Sequence, residues 1–454
     1  VYDIVLLINK FSHRIYSIAI HNISHHSKWL ILTMKSSIHD PYAVLRIQSF
    51  RLYLLGRLFL TLGFQIQEIA IGWILYAKTG NPLVLGFTGL AVAIPYIITS
   101  MFSGLIADTK NRKYVVIYAV LLMLFSSIAL LFKLYIDSST HTNTIDILPY
   151  YIVLFFVGLA RGFMGPSLQA LWADFIPKEL FPNGATWSAN TFNFGAVAGP
   201  ALGGVVLGFY GANAAAILTC LLLISSIIAF LLLKYKKVIR DIKKEPLKDK
   251  LLAGLRFVFS HQILVGAMAL DMFAVMFGGA IALLPAFVKD VLLMGPEALG
   301  ILRAAPFIGS LLMGIYLAHH PPLRNTGKIL LISIAGFGVC IIGFAMSTHY
   351  LLSLLLLAAS GAFDNVSMVI RGSIAQLFTP DEMRGRVSAV NGVFIGSSNE
   401  IGAFESGLAA SLMGLIPSVI FGGSITIIIV LCTAIFIPAL ATFSIRTSMH
   451  NNQT

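Results

Sequence analysis

Charge is what this chain has least of. Only 11% of its 454 residues are Asp, Glu, Lys or Arg, against about 25% in an ordinary soluble domain. With 57% hydrophobic residues and a mean hydropathy of +0.88, a soluble globule is excluded and a polytopic membrane protein is indicated. Cysteine is almost as scarce. Cys220, Cys340 and Cys432 all sit inside apolar stretches, without a disulfide framework or the spacing of a metal site. A GxxxxGK[ST] phosphate loop, an HExxH pair and any nucleophile constellation are also missing. These absences argue against an enzyme and leave no cofactor or metal to expect. The net charge of +12 would suit a nucleic acid, but the bases are concentrated in short loops between apolar runs, which is the pattern of membrane orientation. No nucleic-acid partner is expected.

What the chain has is apolar length. Runs of spanning size occupy about 52 to 77, 83 to 107, 114 to 136, 149 to 172, 185 to 210, 212 to 233, 262 to 288, 298 to 318, 328 to 347, 350 to 376, 386 to 414 and 416 to 443. With no water in the bilayer to satisfy an open backbone, each is read as a helix. The longest polar interruption, KYKKVIRDIKKEPLKDKLLAGLR, carries nine Lys/Arg and three Asp/Glu and divides the twelve runs into two sets of six. The expected organisation is an N-terminal segment 1–45, a six-helix bundle 46–233, a basic linker 234–261, a second bundle 262–445 and a tail 446–454. Loops on the side of the termini hold most of the bases, such as Lys110, Arg112, Lys113, Arg324 and Arg386, while the other side has Lys78, Lys133 and Lys289. Both termini and the linker are therefore expected in the cytoplasm. Residues 1–33 contain no methionine, and Met34 opens a normal polar lead-in, so an overcalled start site is preferred to a cleaved signal. His13, His21, His25 and His26 lack ligand spacing.

Six plus six suggests duplication. PKELFPNGATWSAN from Pro177 has a partner in PDEMRGRVSAVN from Pro380, and GLIADTKNRK at 104 has a worn one in GIYLAHHPPLRNTGK at 314. Two matches in the same order support a repeated unit.

A few polar residues inside the runs are candidates for chemistry. Arg161, in GLARGFMGPS, lies well inside the fourth run. A charge at mid-bilayer costs about 2.5 to 3.5 kcal/mol, so it should face a cavity or an ion-pair partner. Buried acids are Glu68, Asp271, Asp364, Glu400 and Glu405. Gln65, Glu68 and Gly72 share one helical face and suggest a cavity lining. In the eleventh run Glu405 lies on the more polar stripe, whereas Glu400 lies on a seam of small residues and reads as structural. Glu68, Arg161, Asp271 and Glu405 are the candidates for proton or substrate coupling. Phe64, Trp73, Phe273 and Phe277 are candidate cavity aromatics, with lipid-facing or core positions as the alternative. In GAVAGPALGG, Gly195, Gly199 and Gly203 form a smooth stripe for another helix to rock against, with Pro200 as a bend and Gly204 beside it.

The loop GLIADTKNRK, with Gly104, Asp108, Arg112 and Lys113, resembles the Gly-x-x-x-Asp-x-x-x-Arg-Lys motif of the major facilitator superfamily. RGFMG is similar to that family's fourth-helix Arg-x-x-Gln-Gly, with Met164 in place of glutamine. GAVAGPALGG is close to the fifth-helix motif of its drug:proton antiporter branches, and the stretches RGFMGPSLQALWADFIPKELFPNGA and MRGRVSAVNGVFIGSSNEIGAFESGLAA look most like the branch with enterobactin exporters and macrolide efflux proteins. The resemblance covers roughly residues 42 to 445. It implies an all-α membrane protein of twelve helices in two pseudo-symmetric six-helix bundles, a conformational latch at Gly104, Asp108, Arg112 and Lys113, and alternating access in a bacterial inner membrane.

The implied function is proton-coupled export of an amphipathic small molecule, by a monomer whose partners are its substrate, protons and the bilayer. One proton charge crossing 100 mV supplies about 2.3 kcal/mol, roughly a 45-fold gradient. An importer or a lipid transporter of the same fold is the alternative, and a membrane-embedded enzyme a remote one.

Overall fold

The structure, a computed structural model, describes residues 40, 42–140, 146–235, 247–380 and 383–445; the expectations for residues 1–33 and the tail fall outside these. Four helices open the chain: α1 Gln48–Thr79, α2 Pro82–Thr109, α3 Arg112–Thr140 and α4 Leu148–Ala173. The turn from α1 to α2 is written in side chains. Gly80 takes a left-handed C-cap, Asn81 accepts a hydrogen bond from the Leu83 amide, and Pro82 fills the first helical position.

Phe181–Leu232 is one rod interrupted at Gly211, whose φ of 81° and ψ of 177° are non-helical. Only glycine enters that region cheaply. We call the parts before and after it α5 (181–210) and α6 (212–232). The chain continues with α7 Leu247–Ser260, α8 Gln262–Phe277, α9 Pro296–His319, α10 Thr326–Met346, α11 Tyr350–Phe378, α12 Arg384–Met413 and α13 Leu415–Phe436. Gly414 joins α12 to α13 with φ 91° and ψ 163°. It stands 203 residues after Gly211, the offset that also relates Pro380 to Pro177. The duplication read from the sequence is thus repeated in backbone conformation.

Ten of these segments are long and apolar enough to cross a membrane. Dividing the longest at Gly211 gives eleven. The twelfth is α12, made less apolar than the others by Asn391, Asn399, Glu400 and Glu405. One expectation needs correction. The run 262 to 288 is not a continuous helix: α8 ends at Gly278, and the chain proceeds through a 3-10 turn Ala280–Leu283 and a π turn Phe287–Val291. Paired glycines and Pro285 explain the break. Open backbone at this depth is tolerated because it is enclosed by protein: a Cβ on Gly279 would come within 2.8 Å of Ser406 Oγ on α12.

Helices α1–α6 pack together, with α1 along the α5–α6 rod and α2 along α4; α8–α13 form the second bundle, with α9 against α11 and α10 against α11 and α13. The halves meet through α2 with α12 and α5 with α9. Their apolar cores report how they are joined. One core lies wholly in the first half around Phe50, Val120 and Phe230, and another wholly in the second around Leu270, Leu330 and Ile370. A third is shared, bringing Ile71 and Leu75 together with Phe287, Leu299 and Phe344. The shared core lies toward the face carrying the α1–α2 and α12–α13 turns, and the separate ones toward the face where the described chain begins and ends, at Asp40 and Ile445. The outward rim is apolar, with Phe125, Phe209 and Ile435 more than 70% exposed, as a lipid-facing surface requires.

The glycine stripe is resolved into two contacts. Gly195, Gly199 and Gly203 pack on α1 of their own half, where added Cβ atoms would come within 2.8 Å of Thr61 Cγ2, 2.7 Å of Gln65 Cβ and 3.1 Å of Ile66 Cα. The stripe therefore packs within its own half, and the inter-half contact is made by its neighbour Gly204, whose Cβ would lie 2.7 Å from Gly300 Cα on α9. Gly86 and Gly407 make the corresponding crossing of α2 with α12. The helix runs on through Pro200, and the non-helical residue of the rod is Gly211.

Candidate functional site

Between the halves lies a cavity of about 650 Å³, within the usual range of about 300–1,000 Å³ for small-molecule pockets. Its walls come from α1, α2, α4 and α5 on one side and from α8 with the broken segment after it, α9, α10, α11 and α12 on the other. The two inter-half glycine crossings and the shared core close it at one end. Tyr76 donates to the Asp290 carboxylate there, and Lys289 Nζ donates to the Ala77 carbonyl at 3.1 Å. At the other end no such crossing is made among the described residues: added Cβ atoms on Gly104, Gly165, Gly372 and Gly392 would meet nothing within 4 Å. The cavity thus opens toward the face where the described chain begins and ends, at Asp40 and Ile445.

Two ion pairs cross it. Arg161 Nη1 on α4 lies 2.7 Å from Glu400 Oε1 on α12, and its guanidinium stacks 4.8 Å from the Phe64 ring centre and 5.8 Å from that of Tyr96. Glu68 on α1 pairs with Arg303 on α9. Both join one half to the other, where the low dielectric strengthens them and an unpaired charge is costly. Gln65, Glu68 and Gly72 all line the cavity.

The other candidates lie apart from this constellation. Asp271, buried on α8, pairs with Arg371 on α11, whose Nε also donates to Ser367 Oγ at 3.1 Å. A narrow crevice lined by Asp271, Ile334, Phe337 and Asp364 adjoins this pair, and Asp364 also lines the main cavity. Glu405 lies outside the cavity lining and makes no ion pair among the described residues. Glu400, which the small-residue seam suggested was structural, faces the cavity instead. Of the four aromatics proposed for the lining only Phe64 is there; Tyr96, Phe192, Phe307 and Phe337 supply the rest, while Trp73, Phe273 and Phe277 lie elsewhere.

At the loop between α2 and α3, Arg112 turns inward. Its Nη1 is 2.7 Å from both carboxylate oxygens of Asp174, at the end of α4, and its Nε donates to the Ala107 carbonyl at 2.9 Å. Lys113 Nζ caps α6 by donating to the Leu231 and Leu233 carbonyls, as a cation at a helix C-terminus should. The side chain of Asp108 lies outside the described residues. An added Cβ on Gly104 would meet open space. Cys220 and Cys340 are buried and Cys432 is exposed.

Sequence reasoning missed Arg303, Arg371 and Asp174. The first two carry the signal that singled out Arg161, a base inside an apolar run. Asp174 gave none, because it lies at a helix end where any acid is commonplace.

Comparison with known proteins agrees with this architecture. The model of the family described as transmembrane secretion effector matches residues 39–453. The chain is 25% identical to the uncharacterized MFS-type transporter YfmI of Bacillus subtilis, over 78% of this chain and 88% of that one. It is 23% identical to the multidrug efflux pump Tap of Mycolicibacterium fortuitum, over 83% and 93%, and 24% identical to the enterobactin exporter EntS of Citrobacter koseri, over 87% and 93%. Among solved structures, a bacterial homolog of the human lysosomal transporter Spinster, inward-facing and unoccupied, superposes with a TM-score of 0.65 at 13% identity, over 89% of this chain and 98% of that one. An inward-facing bacterial homologue of the iron transporter ferroportin gives 0.61 at 17%, over 88% and 100%. With twelve spanning helices among the described residues, in two pseudo-symmetric bundles around a cavity open at one end, the chain belongs to the transmembrane secretion effector family of major facilitator transporters.

Proposed function

We propose that this protein is a secondary active exporter of amphipathic small molecules, working by alternating access in exchange for protons in a bacterial inner membrane. The observation that carries the reading is the cavity: a mostly apolar chamber bridged by two ion pairs and closed at one end only. A pore would be open at both ends, and an enzyme would hold a reacting constellation. Closure by glycine crossings and a shared core, opposite an end where the halves part, is what one limiting state of a rocking transporter requires.

The open end lies on the face where the described chain begins and ends, which the distribution of Lys and Arg assigns to the cytoplasm. That makes the conformation inward-facing, ready to load cargo from the cell. Multidrug efflux by the relative Tap and enterobactin export by the relative EntS support the outward vector. Export against a gradient needs an energy source, and the cavity carboxylates Glu68, Glu400 and Asp364 are the groups available to exchange a proton as the site changes its access. The protein acts as a monomer, since both walls of the cavity come from one chain.

Everted membrane vesicles test the reading. Energised vesicles containing the protein should accumulate members of a panel of anionic, neutral and cationic amphipathic fluorophores, and an uncoupler should abolish the accumulation. Uptake only into right-side-out vesicles would reverse the vector, and turnover of a probe into a product would replace the transporter by an enzyme.

A further inference from the structure

Three arginines line the cavity, and two of them, Arg161 and Arg303, are neutralised by acids from the opposite half. The third, Arg57 on α1, has no carboxylate partner among the described residues. It is held in another way. Its Nη1 donates to Tyr53 Oη at 2.9 Å and to Ser188 Oγ at 2.8 Å. Those hydroxyls are themselves buried, and Tyr53 is tied to the Leu168 carbonyl at 3.2 Å and to Ser188 at 3.1 Å. One nitrogen is thus occupied by two neutral acceptors drawn from two helices. Nε and Nη2 have no acceptor among the described residues. The Phe192 ring centre lies 5.6 Å from Cζ, within cation–π range.

We propose that Arg57 is the anion subsite of the cavity, and that the cargo is an amphipathic molecule carrying a carboxylate, phosphate or comparable oxyanion. The inference rests on the transporter reading and adds the substrate's charge. A base in a membrane protein that no acid neutralises is expensive to keep. Neutral hydroxyls orient it without cancelling its charge. The vacant Nε–Nη2 edge is the fork that meets an oxyanion with two parallel hydrogen bonds. Gln169, Met164 and Leu168 lie on the same wall of the cavity, so an apolar body beside the anion has a surface to rest on. The position also suits loading, because Arg57 stands on the half of α1 nearer the open end.

The test is binding to the purified protein in detergent, read by the fluorescence of three matched probes: pyrenebutyrate, pyrenebutanol and pyrenebutylamine, with protein-free micelles subtracted. The expected result is about tenfold tighter binding of the butyrate than of the alcohol, the size of effect a charge-assisted bidentate contact gives. Arg57→Gln should bring the two within about twofold of each other while leaving the alcohol's affinity in place, and Arg57→Lys, a point charge without the fork, should fall between. Retention of the alcohol's affinity by Arg57→Gln shows that the variant is folded. Equal binding of butyrate and alcohol by the unaltered protein, an unchanged preference in Arg57→Gln, or no binding of any probe would overturn the proposal. Failure of the exporter reading is separate: it would appear in everted vesicles as no accumulation of probes that the purified protein binds.

Discussion

Arg161 and Glu400 meet at 2.7 Å across the boundary between the two halves, beside the rings of Phe64 and Tyr96. Neither residue could have met its partner within its own bundle, so the pair exists only while the halves are arranged as they are. Arg161→Ala and Glu400→Gln should each lower accumulation in everted vesicles by at least about tenfold without loss of expression, because each leaves a charge alone in a low-dielectric site. The exchanged pair, Arg161→Glu with Glu400→Arg, should restore folding stability but not full transport. Normal export by both single variants would remove these residues from the mechanism.

At the closed end the decisive contact is backbone on backbone. A Cβ on Gly204 would come within 2.5 Å of the Pro296 carbonyl oxygen and 2.7 Å of Gly300 Cα, and neither can swing aside. Gly204→Val should destabilise this closure by about 1–3 kcal/mol and shift the population toward the state open at that face. A cysteine introduced at Leu299, buried in the shared core, should then react faster with a membrane-impermeant maleimide added from that side. An unchanged rate would mean that the crossing does not govern closure.

The loop between α2 and α3 makes two separable predictions. Asp174→Asn keeps the shape but removes the carboxylate that Arg112 meets at 2.7 Å, and should lower stability by roughly 2 kcal/mol, as loss of a charged hydrogen bond does, measured by thermal unfolding in detergent. Asp108→Asn, chosen from the motif alone, should abolish export while leaving unfolding unchanged. If Asp108→Asn were instead the variant that unfolds early, the latch and the structural anchor would have to be exchanged.

Asp364 is the acid that lines both the main cavity and the crevice beside Asp271. Asp271 on α8 shares the crevice with Asp364 and pairs with Arg371 on the helix of Asp364, the main cavity that Asp364 also lines carries Glu68, Arg161, Arg303 and Glu400, and α10 contributes Ile334 and Phe337 to the crevice. Two carboxylates facing one guanidinium leave a negative charge over, which a proton can neutralise. In proteoliposomes, Asp364→Asn should retain exchange of labelled for unlabelled cargo yet lose accumulation driven by a pH gradient. Accumulation at the unaltered rate would place proton exchange at Glu68 or Glu400.

The fold was legible because membrane constraints leave so little choice. Apolar length forces helices, and the basic linker separates two sets of six. The breaks at 211 and near 414 are already visible as the ends of apolar runs, but the shared offset of Gly211 and Gly414 became meaningful only when both proved to hold the same backbone conformation. The site was read in part. Arg161 and Glu68 stood out as charges inside apolar runs, but Glu400 was assigned to a packing seam because its helix crosses the other half closely enough to need small residues and presents an acid on the same face. A one-dimensional pattern cannot separate these roles, which depend on what stands opposite. Arg57 escaped for another reason: near the start of a run a base reads as orientation, and its lack of an acid is visible only in three dimensions.

Gly204 and Gly407 stand 203 residues apart, the offset of the internal repeat, yet they serve different crossings, one with Gly300 and the other with Gly86. That is the arrangement of an isologous dimer interface, in which one surface patch is used twice about a two-fold axis. The halves of this chain therefore meet as two subunits of a symmetric dimer would, each crossing an echo of the other. The charges do not obey the same symmetry. Glu68 with Arg303 joins α1 to α9, and Arg161 with Glu400 joins α4 to α12, contacts that the two-fold does not interchange. What a duplicated unit inherited in two copies is its closure, and what later distinguished its halves is the chemistry of the chamber between them.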